Sequence, residues 1–179
     1  GHGRVMGGVL AGSEELMTQV AMYCNSCGLA MSPFNAWELL SGIETIGIRM
    51  EKQFDNALKI AQWLQQQPQV QAVYYTGLPD HPQAELIRKQ QNGGGIVIGF
   101  EVADQEAAWK VVDGVELFSR TANLGDVRST ITHPWTTTHG RMQPEEKLAA
   151  NIRPGLIRLS VGLEYVDDLI DDLQQALNK

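Results

Sequence analysis

Between Ser32 and Pro68 apolar or small residues return every three or four positions without a break: Trp37, Leu40, Ile43, Gly47, Met50, Phe54, Ala57, Ala61 and Leu64. That period belongs to one face of an α-helix. Ser32-Pro33 supplies an N-cap followed by a proline tolerated in the first turn, with Asn35 and Glu38 as an alternative capping pair, and Pro68 ends the pattern. At 1.5 Å per residue such a helix is on the order of 50 Å long. A small domain is not that deep, so the helix is expected to run from one layer or domain into another, with a bend at Gly42 or Gly47.

The two flanks differ in texture. Residues 5–11, bracketed by Gly7, Gly8 and Gly12, read as a short buried strand packed close to other backbone. Ser13 follows as an N-cap with Glu14 and Glu15 at the positive helix end. Leu16, Val20, Tyr23 and Cys27 mark an apolar face, and Gly28 is the stop. One strand, one helix and half of a long helix cannot bury their own apolar faces.

After Pro68 short elements alternate. Strands are expected at residues 70–75, 96–102, 116–122, 129–133 and 156–163, and helices from 80 or 81 to 91, at 103–112, at 144–150 and from 166 to the end. The last helix carries Val166, Leu169, Ile170, Leu173 and Leu177 on one side, with Asp167, Asp168, Asp171 and Asp172 largely on others. The fold class is therefore α/β, dividing near residues 45–70: the first part belongs to something larger, and the second is an α+β unit whose mixed or antiparallel sheet of four or five strands is covered by three or four helices. The sequence opens on Gly1-His2-Gly3 without an initiator Met. Together with the incomplete first half, this gives the expectation that the chain is a fragment.

Charge narrows the partners. Fourteen basic against twenty-one acidic side chains leave a net charge of −7, and no basic cluster appears. Nucleic-acid binding, which needs cations to displace counterions from phosphates, is not expected. Neither is a membrane span, because no apolar run approaches 20 residues. Two cysteines in 179 residues suggest a reducing compartment and a cytoplasmic location.

Few residues carry recognisable chemistry. Cys24-Asn25-Ser26-Cys27 has CxxC spacing, but it falls at a helix C-terminus, where the dipole opposes a thiolate, and no second pair exists for zinc. His2, His81, His133 and His139 show no metal-ligand spacing; His139, beside Thr136, Thr137 and Thr138, is a loop histidine able to line a site. The glycines of residues 1–8 lack phosphate-loop spacing. Arg158 is more informative. In residues 156–163, Ile157, Leu159, Val161 and Leu163 take one strand face and Leu156, Arg158, Ser160 and Gly162 the other. Small neighbours leave room at a guanidinium on a rigid strand, which suits two-point recognition of a carboxylate. An arginine paired with a surface Asp or Glu fits the spacing equally well. Asn123-Leu124-Gly125-Asp126 lies between strands; it is either a turn whose Asn and Gly take positive φ or a set of exposed amides for an anion.

Three stretches together resemble one family. Met31-Ser32-Pro33-Phe34-Asn35-Ala36-Trp37, Val73-Tyr74-Tyr75-Thr76-Gly77-Leu78 running to His81-Pro82-Gln83, and Gly155-Leu156-Ile157-Arg158-Leu159-Ser160-Val161-Gly162-Leu163-Glu164 are similar to the Cys/Met-metabolism family of pyridoxal-phosphate (PLP) enzymes. The likeness runs in order along essentially the whole chain. Gly3-Arg4-Val5, residues 123–129 and residues 133–139 look most like the sulfhydrylase branch that uses O-succinylhomoserine.

The resemblance implies the C-terminal portion of an aspartate-aminotransferase-like (fold type I) enzyme. Residues 1–45 would be the end of the PLP-binding domain and the start of the connecting helix, and 46–179 the small domain. It implies PLP as cofactor, a homotetramer, an amino-acid substrate, and a γ-replacement that makes homocysteine from a homoserine ester and sulfide. By the same resemblance, Arg158 holds the substrate α-carboxylate and Asn123 lies beside the cofactor and that carboxylate, where relatives usually carry serine. The Schiff-base lysine would precede Gly1, so no catalytic, cofactor-binding or metal-binding residue is assigned within the chain. The competing expectation is a stand-alone, non-catalytic α+β module that binds a small carboxylate or a protein partner.

Overall fold

The computed structural model describes all 179 residues, which form two compact units, residues 2–47 and residues 48–179 with Gly1.

In the first unit Ser13 caps α1 (Glu14–Cys27) by accepting the Leu16 amide, and Gly28 ends it at φ 68°, a left-handed conformation that glycine adopts without a Cβ penalty. Ser32 caps the next helix, α2 (Pro33–Glu44), accepting the Asn35 amide at 3.1 Å. The alternative capping pair is not used: the Asn35 side chain donates to the Met6 carbonyl at 2.9 Å and Glu38 pairs with Arg4 at 3.3 Å. Neither helix buries a residue. Leu16, Tyr23, Phe34, Trp37 and Leu40 are all exposed.

Two expectations fail in this region. Residues 5–11 are irregular, and residues 6–11 are exposed. The unit contains no second strand, and an unpaired strand leaves its ladder donors and acceptors without partners. The long helix is also two helices: α2 stops at Glu44, Thr45 leaves helical geometry at φ −111° and ψ 7°, and α3 (Ile46–Leu64) begins anew. A β-branched residue between Gly42 and Gly47 gives the weakest local helix propensity along this stretch. A Cβ at either glycine would meet nothing, so neither is required for close packing.

In the second unit a five-stranded sheet has the order β1 (Ala72–Tyr74), β2 (Val97–Glu101), β5 (Leu156–Ser160), β4 (Thr130–Thr132), β3 (Ser119–Arg120). All pairs are antiparallel except β3 with β4. The helices α4 (Ala84–Gln90), α5 (Gln105–Gly114) and α6 (Pro144–Ala149) fall between the strands, and α7 (Val166–Leu177) follows β5. Strand alternation sends Ile98 and Phe100, Ile131, and Ile157 and Leu159 into one core, with Val161 just past β5. From the helices, Ile60, Ala61 and Leu64 of α3, Ala108 and Val111 of α5, and Leu169 and Leu173 of α7 close over them. Each large side chain in this layer contributes about 1.5–3 kcal/mol by leaving water.

The aspartate pattern of α7 has one exception. Asp172 is buried and its carboxylate accepts the backbone amides of Glu116, Leu117 and Phe118 at 2.8, 2.9 and 3.1 Å. A carboxylate with three fixed donors is satisfied without water, which is why an acidic residue can occupy the packed side of this helix.

Candidate functional site

The opposite sheet face carries the candidate chemistry. Register places Tyr74, Gly99, Arg158 and Thr132 in one row across β1, β2, β5 and β4. Gly99, directly across from Arg158, carries no side chain and so leaves space beside it; the atoms nearest to a Cβ there would be those of Tyr74 and Leu156, at van der Waals distance. The small residues along Arg158's own strand do not provide that space. Ser160 is buried, and a Cβ on Gly162 would collide with the Val127 carbonyl oxygen. The segment 127–129 lies against this end of the strand, held by the Leu163 amide to Val127 O at 2.8 Å and by Ser129 on Glu164.

Arg158 itself is half-buried, and desolvation lowers its pKa from the ordinary arginine value. It remains a cation at any physiological pH. No carboxylate lies within ion-pair distance of it, whereas Arg4 pairs with Glu38, Lys110 with Glu106, Arg153 with Glu101 and Lys179 with Glu116. The surface-pair alternative is thereby removed. One corner of the fork is fixed, because Nη2 donates to the Ala122 carbonyl at 2.5 Å. Donors elsewhere on the guanidinium remain for a carboxylate or similar anion.

Asn123 follows Ala122 in this loop, and it is exposed. Positive φ here belongs to Gly125 alone, at 80°, so backbone geometry does not explain the asparagine. The loop's backbone is gripped by residues that sequence reasoning passed over or treated only as small neighbours. Thr130 Oγ1 donates to Asn123 O at 2.8 Å, Ser160 Oγ accepts the Gly125 amide at 2.9 Å, and Gln53 Nε2 donates to Asp126 O at 2.9 Å. A cleft of about 340 Å3 opens alongside, lined by residues that include Trp109, Thr121, Ala122, Thr132 and Thr136.

The remaining candidates have structural partners. Cys24 and Cys27 are free thiols in the last turn of α1. His139 Nδ1 meets the neighbouring Thr138 hydroxyl at 2.9 Å. His133 is buried, with Nε2 at 2.6 Å from the Pro154 carbonyl and Nδ1 facing the Trp109 indole N–H at 3.2 Å and the Thr136 hydroxyl at 2.8 Å. A carbonyl only accepts and an indole N–H only donates, so the ring is neutral with its proton on Nε2.

Burial lowers the His133 pKa from its ordinary 6.5, opposed by the Pro154 carbonyl and reinforced by Lys147. Because the unfolded chain binds the proton more readily, this residue's contribution to stability is complete above about pH 6.5 and is lost as pH falls through the lower folded value. Thermal melts across that range should show a decline that His133→Gln flattens. Parallel profiles for the two proteins would show that His133 is not the titrating group.

A family model described as Cys/Met metabolism PLP-dependent enzyme matches residues 1–178. The chain belongs to this family. An O-succinylhomoserine sulfhydrylase of Pseudomonas aeruginosa is 49% identical over 178 residues, 99% of this chain and 44% of that protein. Among solved structures, a cystathionine gamma lyase of Micromonospora echinospora superposes with a TM-score of 0.88 at 30% identity, over 93% of this chain and 44% of that one. An O-acetylhomoserine (thiol)-lyase of Campylobacter jejuni, solved with a pyridoxyl-lysine monophosphate, gives 0.83 at 39% identity, over 91% and 39%. The chain thus spans less than half the length of these relatives.

The lysines are the side chains of this chain able to form an imine with the family's cofactor. Lys52, Lys59, Lys89, Lys110 and Lys179 are exposed. The buried Lys147 holds its ammonium 4.7 Å from the centroid of the Trp135 ring, a cation–π contact that already occupies it.

Proposed function

We propose that this chain is the C-terminal part of a PLP-dependent enzyme that replaces the γ-acyloxy group of a homoserine ester with sulfide. The products are homocysteine and the free carboxylate of the acyl group. The observation that carries this assignment is Arg158: a half-buried guanidinium with no acidic partner, one corner tied to Ala122 O, on the open face of a rigid sheet. Its role is to bind the substrate α-carboxylate at two points and fix the orientation of the bonds at Cα. Asn123 stands next to Ala122 as a further polar contact on the substrate side. Similarity to O-succinylhomoserine sulfhydrylases supports the succinyl ester as substrate.

On this account residues 1–45 complete the cofactor-binding domain and residues 46–179 form the small domain. The rest of the protein supplies the Schiff-base lysine and phosphate contacts, the holoenzyme is a homotetramer, and its location is the cytoplasm. No helix is long and apolar enough to cross a membrane. The test is homocysteine formation from O-succinylhomoserine and sulfide by the full-length protein. An inactive protein that is saturated with PLP would contradict the proposal.

The same account predicts the behaviour of residues 1–179 alone. Mixed with PLP, they should give no stoichiometric aldimine absorption band and no borohydride-trapped adduct. A trapped one-to-one adduct would place a Schiff-base lysine within this chain and overturn the assignment.

A further inference from the structure

We infer that Thr130 and Ser160 are positioning residues that fix Asn123 and Arg158 for substrate binding; this rests on the assignment of Arg158 to the substrate carboxylate. Four of the five residues 122–126 have a backbone group held by a side chain. Ala122 O is held by Arg158, Asn123 O by Thr130, the Gly125 amide by Ser160, and Asp126 O by Gln53. Thr130 and Ser160 are cross-strand partners on β4 and β5, 4% and 1% exposed. Their hydroxyls therefore project from the sheet as adjacent anchors next to Arg158.

The segment has no strand or helix geometry of its own, and so no ladder to hold it. Without the two hydroxyls its carbonyl and amide would turn to water, the Ala122 carbonyl would drift from the guanidinium, and Arg158 would lose its one fixed corner. Substrate binding would then carry the entropy cost of ordering five residues and a long side chain, which the anchored loop has already met. Gln53 adds a brace from α3, since its Nε2 also donates to Val161 O at 2.8 Å, coupling the loop's far end to the residue after β5. Neither hydroxyl is placed against the substrate itself, so both act through the loop.

The experiment uses the full-length holoenzyme with O-succinylhomoserine and sulfide. Thr130→Val keeps the side-chain shape and removes the donor; it should raise KM for the ester about 5- to 30-fold with kcat changed by less than roughly threefold. Thr130→Ser restores the hydroxyl and should return KM to near the wild-type value. In Ser160→Ala the Gly125 amide should exchange its hydrogen about tenfold faster than in wild type, a readout independent of activity. A wild-type KM in Thr130→Val, beside a raised KM in Arg158→Ala, overturns the positioning role alone. A wild-type KM in Arg158→Ala overturns the underlying assignment. Unchanged exchange at Gly125 in Ser160→Ala shows that the loop is held without that anchor and overturns its part in the inference.

Discussion

In the full-length enzyme, Arg158→Ala should lower kcat/KM for O-succinylhomoserine by roughly 30- to 700-fold, the equivalent of about 2–4 kcal/mol for a lost charge-assisted carboxylate contact. The fold should survive. The core alternation on β5 is carried by Ile157 and Leu159, and the arginine lies on the opposite face with one hydrogen bond to a loop carbonyl. PLP content should not change, because the arginine is assigned to the substrate carboxylate and not to the cofactor. Arg158→Lys should also be impaired, since an ammonium cannot hold Ala122 O at one corner and a carboxylate across the rest of a planar fork. Steady-state kinetics beside a thermal melt decides the matter. Activity within a few-fold of wild type, or simple unfolding, would make Arg158 a structural arginine.

The largest stability effect is expected at Asp172. Asp172→Ala removes the common acceptor of three consecutive amides, at Glu116, Leu117 and Phe118, and also one of the two acceptors of Gln175 Nε2, at 3.1 Å. Phe118 is buried, so its amide has poor access to water, whereas Glu116 and Leu117 are exposed and can recover part of the loss. A cost of about 2–4 kcal/mol follows from losing bonds to a charged acceptor and leaving a buried donor unpaired. At roughly 2–4 °C per kcal/mol for a chain of this size, the melting temperature should fall by about 5–15 °C. Asp172→Asn keeps one acceptor oxygen and should fall between the two. A melting temperature within about 2 °C of wild type for the alanine variant would show that solvent replaces the carboxylate at all three amides.

Much of this architecture was legible because it is local. Ser13, Gly28 and Ser32 mark helix ends through their own hydrogen bonds and φ angles. The alternation around Ile157 and Leu159 separates core from open face before any neighbour is known. Failures came where the outcome depends on distant partners. An apolar run such as residues 5–11 does not reveal whether another strand pairs with it, and the spacing that links α2 to α3 passes unbroken through Thr45. Asp172 sits in a run of aspartates, and only the turn at residues 116–118, far along the chain, makes it a buried acceptor.

The site shows the same division. Arg158 stood out from its strand face, but spacing could not decide between a surface ion pair and a ligand-binding fork. The structure gives Arg158 no carboxylate partner, which removes the ion pair; the fork is the reading proposed above. Thr130 and Gln53 gave no comparable signal. Gln53 lies 73 residues from Asp126, and Thr130 lies on the next strand with its hydroxyl turned back to the loop. A hydroxyl on a strand is ordinary until the backbone group it holds is known.

The most direct test of the central claim is a comparison of O-succinylhomoserine with its α-carboxamide, in wild type and in Arg158→Ala, read as the ratio of kcat/KM between the two compounds. If the guanidinium recognises the carboxylate, the wild-type protein should prefer the acid by roughly 30-fold or more, and Arg158→Ala should lose nearly all of that preference. The same preference in both proteins would mean that another group binds the carboxylate, and the role assigned to Arg158 would be wrong.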